Sequence, residues 1–372
     1  NHPTFHDPIV MFLLSARLRQ AFYYLAAYET FEDPTVMLLI STRFSLFRKL
    51  AQSRYITAGL RWCLQRLGMY SIRRGLADRP SITQTIHLIS QPECHLVIFP
   101  EGGCSFQNDT VMPFRSGAVQ LSFQAMQRAM KSTGTLPNLY VIPVAIKYYY
   151  MQDMQTIIHD SLTRLEKALH LSPETTSHEY DRLRAIAETI LIQIEQEYGL
   201  YCPESKAHPW NDRIDAVRLQ VIQACERELS LSSSSEDLIR ERVYRLQQSI
   251  RTQTMLNESG TVSPTLRIEK SLSRLLNFDA IYDGYVAENP TPERFLDTLI
   301  RLEREVFDIN QPPPKGFRRA VLQFGEPINL KEYFADYQCD RTAVIKQLTA
   351  AFQQTVQTLL DRSILPSETS RL

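Results

Sequence analysis

A chain of 372 residues that is 44% hydrophobic and 22% charged can bury one large core or two ordinary ones, which excludes a disordered tail. Its 41 basic and 41 acidic side chains balance, so no whole-chain basic field points to nucleic acid as a partner. Six scattered cysteines with no CxxC pair argue against a zinc ribbon or a disulfide framework and fit a reducing compartment.

The first 150 residues alternate helix and strand patterns. Asp7 as N-cap and Pro8 at the first helical position predict a helix over 9–19. The aromatic-rich FYYLAAY at 22–28 reads as a strand, 36–67 as mostly helix, and 69–73 as a short strand. The apolar run HLVIFP at 95–100 suits a strand buried on both faces. Ala118, Leu121, Ala125 and Ala129 recur at helical spacing and predict a helix over 116–131. LYVIPVAIKY at 139–148 is the next buried strand. Strand, helix and strand at this spacing predict a right-handed crossover, and hence an α/β class. The expected core is a mixed, mostly parallel sheet flanked by helices over 1–150, completed by residues 317–372.

Residues 151–316 read as a large all-helical insertion. Tyr180, Leu183, Ile186, Ile190 and Ile194 follow a helical period over 179–198, with further helices at 156–170, 209–230, 235–252 and 292–308. Breakers include the serines 232–235 and Pro290, and QPPPK at 311–315 is a stiff connector. A strand at 318–324 and a C-terminal helix at about 341–362 close the chain. Only 12 glycines fit this helix-rich reading, and no internal repeat of fixed period is expected.

Charge is unevenly placed. Residues 1–150 hold 15 basic against 8 acidic side chains, so the first part is basic and the remainder acidic. That asymmetry suggests an anionic partner for the first part: a phosphate, an acidic carrier or a lipid surface. The apolar stretch 8–16 is far short of the roughly 20 residues that span a bilayer, and nothing resembles a signal peptide. Opening on Asn1 leaves room for an upstream segment that carries any anchor. Residues 36–67 interleave apolar side chains with Arg43, Arg48, Lys49, Arg54, Arg61 and Arg66 and no acidic residue, as expected of a helix lying on anionic lipid.

The heptad NHPTFHD at 1–7 carries the strongest chemical signal. His2 and Asp7 cannot share a face of a regular helix, so they meet only if the segment turns, as Pro3 and Pro8 favour. A carboxylate would then orient an imidazole able to take a proton from a hydroxyl. The bland alternative is that Asp7 only caps the next helix. His2 and His6 at i, i+4 could hold a metal on a helix, but Pro3 occupies the place where the metalloprotease pattern needs Glu. Glu101 and Gly102 follow the buried strand, where open α/β sheets build their sites. Arg73 and Arg74 follow a short strand in GMYSIRRG, and a guanidinium fork matches phosphate. Arg115 precedes a helix start, a natural anion site.

Taken in order, these blocks resemble the glycerolipid acyltransferases, which acylate glycerol 3-phosphate or 1-acylglycerol 3-phosphate. His2 to Asp7 matches the family's NHxxxxD block and Gly68 to Arg74 its GxxxIxR block. FPEG at 99–102 matches the third block, VIPV at 141–144 the fourth, and GEPINL at 325–330 the closing segment. The resemblance implies acyl transfer from an acyl carrier protein or coenzyme A thioester to a glycerol-phosphate-type hydroxyl in phospholipid biosynthesis, with no cofactor and no metal. His2 would be the general base, Asp7 its partner and Arg74 the phosphate ligand, while Glu101 and Gly102 would shape the glycerol pocket. It also implies a cytoplasmic protein, peripheral on the inner face of a membrane.

Two departures stand out. Gly103-Cys104-Ser105 follows FPEG where the family has Thr-Arg-Ser, and Arg115 stands where a lysine is usual and compensates in part. The rival readings are a catalytically degenerate lipid-binding module and a metal-dependent hydrolase.

Overall fold

The computed structural model describes residues 1–32, 54–172, 178–234, 237–256, 262–279, 281–309 and 312–363. They form two compact units: Asn1–Arg73, Ala77–Tyr149 and Arg319–Leu372 make the first, and Arg74–Leu76 with Tyr150–Arg318 the second. The chain runs through α1 (Asp7–Leu18), β1 (Phe22–Ala27), α2 (Tyr28–Glu32), α3 (Arg54–Arg66), β2 (Met69–Ile72) and α4 (Arg79–Ile89). Next come β3 (His95–Val97), α5 (Gly117–Thr133), β4 (Tyr140–Val141) and β5 (Val144–Tyr150). The helices α6 (Gln155–Ala168), α7 (Glu179–Glu197), α8 (Trp210–Glu228), α9 (Ile239–Leu256), α10 (Val262–Phe278), α11 (Tyr285–Glu288) and α12 (Pro292–Phe307) follow. The chain closes with β6 (Arg318–Phe324), β7 (Ile328–Asn329), α13 (Phe334–Cys339) and α14 (Arg341–Arg362).

The first unit is a mixed α/β fold. β1 lies between β2 and β3, parallel to both, with Tyr24 in register with Met69 on one side and Val97 on the other. Gly68 makes the tight entry into β2 at φ +83°, and a Cβ there would stand 2.6 Å from the Phe22 carbonyl oxygen. Met11, Tyr24, Met69, Ile146 and Tyr148 bring α1, β1, β2 and β5 into one buried cluster. A second cluster joins Phe123 of α5 to Tyr337 of α13, stacked at 4.2 Å, and to Leu348 and Phe352 of α14.

Three expectations change. Asp7 is the first residue of α1 and His6 holds the N-cap, so the Asp7 carboxylate is released from capping. The strand read at 95–100 shortens to three half-buried residues, and β3 pairs with β1 alone among the described strands. The strand read at 139–148 is divided at Pro143, which has no N–H to give a ladder. β4 then pairs antiparallel with β7, and β5 with β6. Of the segment 36–67, residues 36–53, with Arg43, Arg48 and Lys49, lie outside the described residues. No helix among the described residues is long and apolar enough to cross a membrane.

The second unit is helical, and it contains a repeat that the sequence reading did not find. Near the ends of α6, α7 and α8 stand Glu166, Glu195 and Glu226, spaced about 30 residues apart. Four residues after each, His170 (φ 56°), Gly199 (φ 70°) and Ser230 (φ 52°) turn left-handed. The N–H groups of Leu171, Leu200 and Leu231 then return to the carbonyls of the three glutamates at 2.9, 2.7 and 2.9 Å. Each glutamate also receives two parallel hydrogen bonds from an arginine of the following helix: Arg182, Arg213 and Arg242, at 2.6–2.9 Å. All six charged side chains are buried, and the two-pronged geometry satisfies both carboxylate oxygens.

Candidate active site

The residues from Asn1 to Asp7 form a turn ahead of α1 that folds back on itself. His2 Nδ1 lies 2.6 Å from Asp7 Oδ2, the approach that the five-residue spacing allows only in a turn. Asp7 is fully buried and accepts three further hydrogen bonds: Thr4 N–H at 3.0 Å, Thr4 Oγ1 at 3.0 Å and Tyr148 Oη at 2.7 Å. Four polar contacts thus surround this buried carboxylate. A histidine whose Nδ1 gives its proton to the carboxylate has Nε2 left as an acceptor. The ring stacks on Phe99 at 4.5 Å, which fixes its plane.

Glu101 is 1% exposed, and its Oε1 accepts the His2 backbone N–H at 2.9 Å. Ser105 N–H donates to the His2 carbonyl at 2.8 Å. The FPEG loop therefore clamps the backbone of His2 from both polar groups. Glu101 acts on the His2 turn itself, a contact that its expected place beside substrate hydroxyls did not foresee. Gly102 is left-handed at φ +71°, and a Cβ there would meet Arg115 Cδ at 2.6 Å. Arg115 N–H returns to the Pro100 carbonyl at 2.8 Å, so the guanidinium stem runs beside the glycine. His2, Asp7, Glu101, Gly102 and Arg115 thus come together within the first unit.

Arg74 is placed differently. It belongs to the second unit, where its guanidinium lies 4.1 Å from the Tyr244 ring centre and Nη1 donates to Tyr244 Oη at 2.8 Å. Arg73 stays with the first unit, over Tyr28 at 4.7 Å.

Two amide side chains hold the site to β5. Asn1 donates to the Ile146 carbonyl at 2.9 Å and accepts its N–H at 2.8 Å. Asn108 does the same for Tyr148, at 2.7 Å in both directions. Residues 146 and 148 present their polar groups to the same edge of the strand, so two amides occupy the place of a neighbouring strand. Beside that edge, between β3 and the β4–β5 segment, lies a mostly apolar cavity of about 440 Å³. Arg115 lines it together with Phe99, Pro100, Leu96, Val141 and Phe352. Cys94 also lines it, and burial pushes that thiol up, away from thiolate chemistry. Tyr148 and Asn108 had no individual signal in the sequence, since each acts through a contact with a distant residue, and Thr4 acts only within its own turn. Asn1 and Phe99 had one, as the first letters of the NHxxxxD and FPEG blocks.

Residues 47–147 match the family model described as Acyltransferase, a span that includes Arg74, Glu101, Gly102 and Arg115 and begins downstream of His2 and Asp7. No curated protein and no solved structure matches the chain. Over residues 47–147, this chain carries an acyltransferase-family domain.

Proposed function

We propose that the protein moves an acyl group from a coenzyme A or acyl carrier protein thioester to a hydroxyl of a glycerol-phosphate-type acceptor, at the membrane where phospholipids are made. The observation that carries this reading is the 2.6 Å contact of His2 Nδ1 with a buried Asp7 carboxylate, which leaves Nε2 to accept a proton. His2 Nε2 removes the proton of the acceptor hydroxyl as its oxygen attacks the thioester carbonyl carbon. A carbon–oxygen bond forms, the carbon–sulfur bond breaks, and the imidazolium returns its proton to the departing thiolate. Asp7 holds the ring in orientation and stabilises the positive charge that it carries between those two transfers.

The apolar cavity beside the FPEG loop supports an acyl substrate, since it offers an apolar wall for a hydrocarbon chain and has one cation, Arg115, in its lining. Arg115 of the first unit and, separately, Arg74 of the second are each proposed as a phosphate ligand, with Cys104 in the place of the family's third cation. The test is acyl transfer by purified protein to glycerol 3-phosphate and to its 1-acyl form, with both thioester carriers. His2→Ala should lower turnover by about 10²–10⁴-fold in a protein that still folds. A folded variant with parental turnover would overturn the reading.

A further inference from the structure

Arg115 ends a segment that has no helix or strand of its own. Residues 110–115 join the FPEG loop to α5 and belong to no ladder, so their backbone N–H groups take partners from elsewhere. Helix α14 supplies two of them. Gln353 Oε1 accepts the Phe114 N–H at 2.9 Å, and Gln357 Oε1 accepts the Val111 N–H at 2.9 Å. Gln357 Nε2 also donates to the Asp109 carbonyl at 3.0 Å. Four positions apart, the two glutamines share a face of α14. Each directly follows a buried residue, Phe352 or Val356, whose apolar cluster Phe114 also joins. The backbone of Arg115 is thus held from two sides. Its own N–H returns to the Pro100 carbonyl, and the residue before it is tied to α14, which lies outside residues 47–147.

We infer that Gln353 and Gln357 are positioning residues for Arg115, so that α14 sets the direction from which this guanidinium meets the acceptor phosphate. The inference rests on the phosphate role proposed for Arg115. A guanidinium makes its two-pronged fit to phosphate in one orientation only, and a shift of its backbone is carried to the end of a long side chain.

The test is calorimetric titration of the full chain with glycerol 3-phosphate, with melting curves on every preparation. Gln353→Met keeps the length of the side chain and removes the acceptor, and Gln357→Met does the same for the second amide. Each should weaken binding by about 10-fold, the scale of one hydrogen bond. Gln354→Met, at an exposed position of the same helix, should bind as the parent does. In kinetics the acceptor KM should rise by the same factor while the thioester KM does not move. Added to Arg115→Ala, Gln353→Met should weaken binding no further, because the side chain through which it acts is gone. Where a methionine variant does not fold, Gln353→Asn or Gln357→Asn, one methylene shorter, is read by the same rule. Parental affinity in either folded glutamine variant would overturn the inference. So would a further loss of about 10-fold on top of Arg115→Ala, or a parent that does not bind glycerol 3-phosphate. Binding needs no turnover: if the pattern holds and no preparation transfers acyl groups, the positioning stands and the acyl-transfer reading falls.

Discussion

Tyr148 Oη donates to Asp7 Oδ1 at 2.7 Å, joining the carboxylate that faces His2 to strand β5, far along the chain. Asp7 is thereby anchored from one side by the turn that precedes α1 and from the other by the sheet. Its position is set by tertiary structure, and the helix that it begins does not use its carboxylate as a cap.

That contact yields the first prediction. Tyr148→Phe keeps the ring and removes one hydrogen bond to a buried charge, so stability should fall by about 1.5–3 kcal/mol. Turnover should fall with it, because the His2 partner loses its lateral support. Thermal melting and steady-state kinetics on the same preparation check both effects.

Asp7→Asn should be more damaging. The amide keeps one oxygen but sets an NH2 group either against Thr4 N–H and His2 Nδ1 or against the Thr4 and Tyr148 hydroxyls, and it no longer stabilises an imidazolium. A loss of turnover of about 10²-fold or more is expected, together with a lower melting temperature. His2→Ala, by contrast, should lose rate at nearly parental stability.

Gly102→Ala tests the FPEG turn. The left-handed backbone and the 2.6 Å approach to Arg115 Cδ mean that a methyl group must displace that side chain. Strain of about 1–3 kcal/mol is expected, with a raised KM for phosphate-bearing acceptors. Substrate titration of the variant separates this from a change in kcat.

The two arginines proposed for phosphate can be told apart from packing. Arg74→Ala should raise the acceptor KM and leave the thioester KM unchanged. Because Arg74 also stacks on Tyr244, melting must be followed beside the kinetics, and Tyr244→Phe, which keeps the ring and removes the hydroxyl, gives the effect of the lost hydrogen bond. Cys104→Arg restores the family's third cation and should tighten phosphate acceptors.

The helical unit should be acid-sensitive. Burial pushes the Glu226 carboxyl up, but hydrogen bonds from Arg242 and Ser233 and the charges of Arg242 and Arg245 outweigh it and hold the group below the usual range. A depressed carboxyl contributes stability above its unfolded pKa and loses it as pH falls through the folded value. The melting temperature should therefore drop as pH is lowered below about 4.5. Glu226→Leu alone leaves Arg242 buried and uncompensated and should cost about 3 kcal/mol, whereas Glu226→Leu with Arg242→Met should recover most of it.

Much of this protein could be read from its sequence because local signals decided it. The strand at 318–324 and the helix at 341–362 were placed at their observed bounds, since an aromatic and β-branched run and a capped apolar period are each complete within one segment. The blocks around His2, Asp7, Glu101, Gly102 and Arg115 were legible because their chemistry depends on residue type at short spacing. Other features needed the third dimension. The four hydrogen bonds of Asp7 come from residues up to 141 positions away, and two asparagines occupy a strand's place on β5 through contacts 40 and 145 residues apart. The Glu–Arg repeat was missed although Glu and Leu recur five residues apart in it, because the turn residues His170, Gly199 and Ser230 share a backbone conformation and not a side chain. Arg74, adjacent to Arg73 in sequence, joins the other unit because Tyr244 offers it a ring and a hydroxyl. Sequence determined which groups this protein can use. Burial and long-range hydrogen bonding decided which of them face one another.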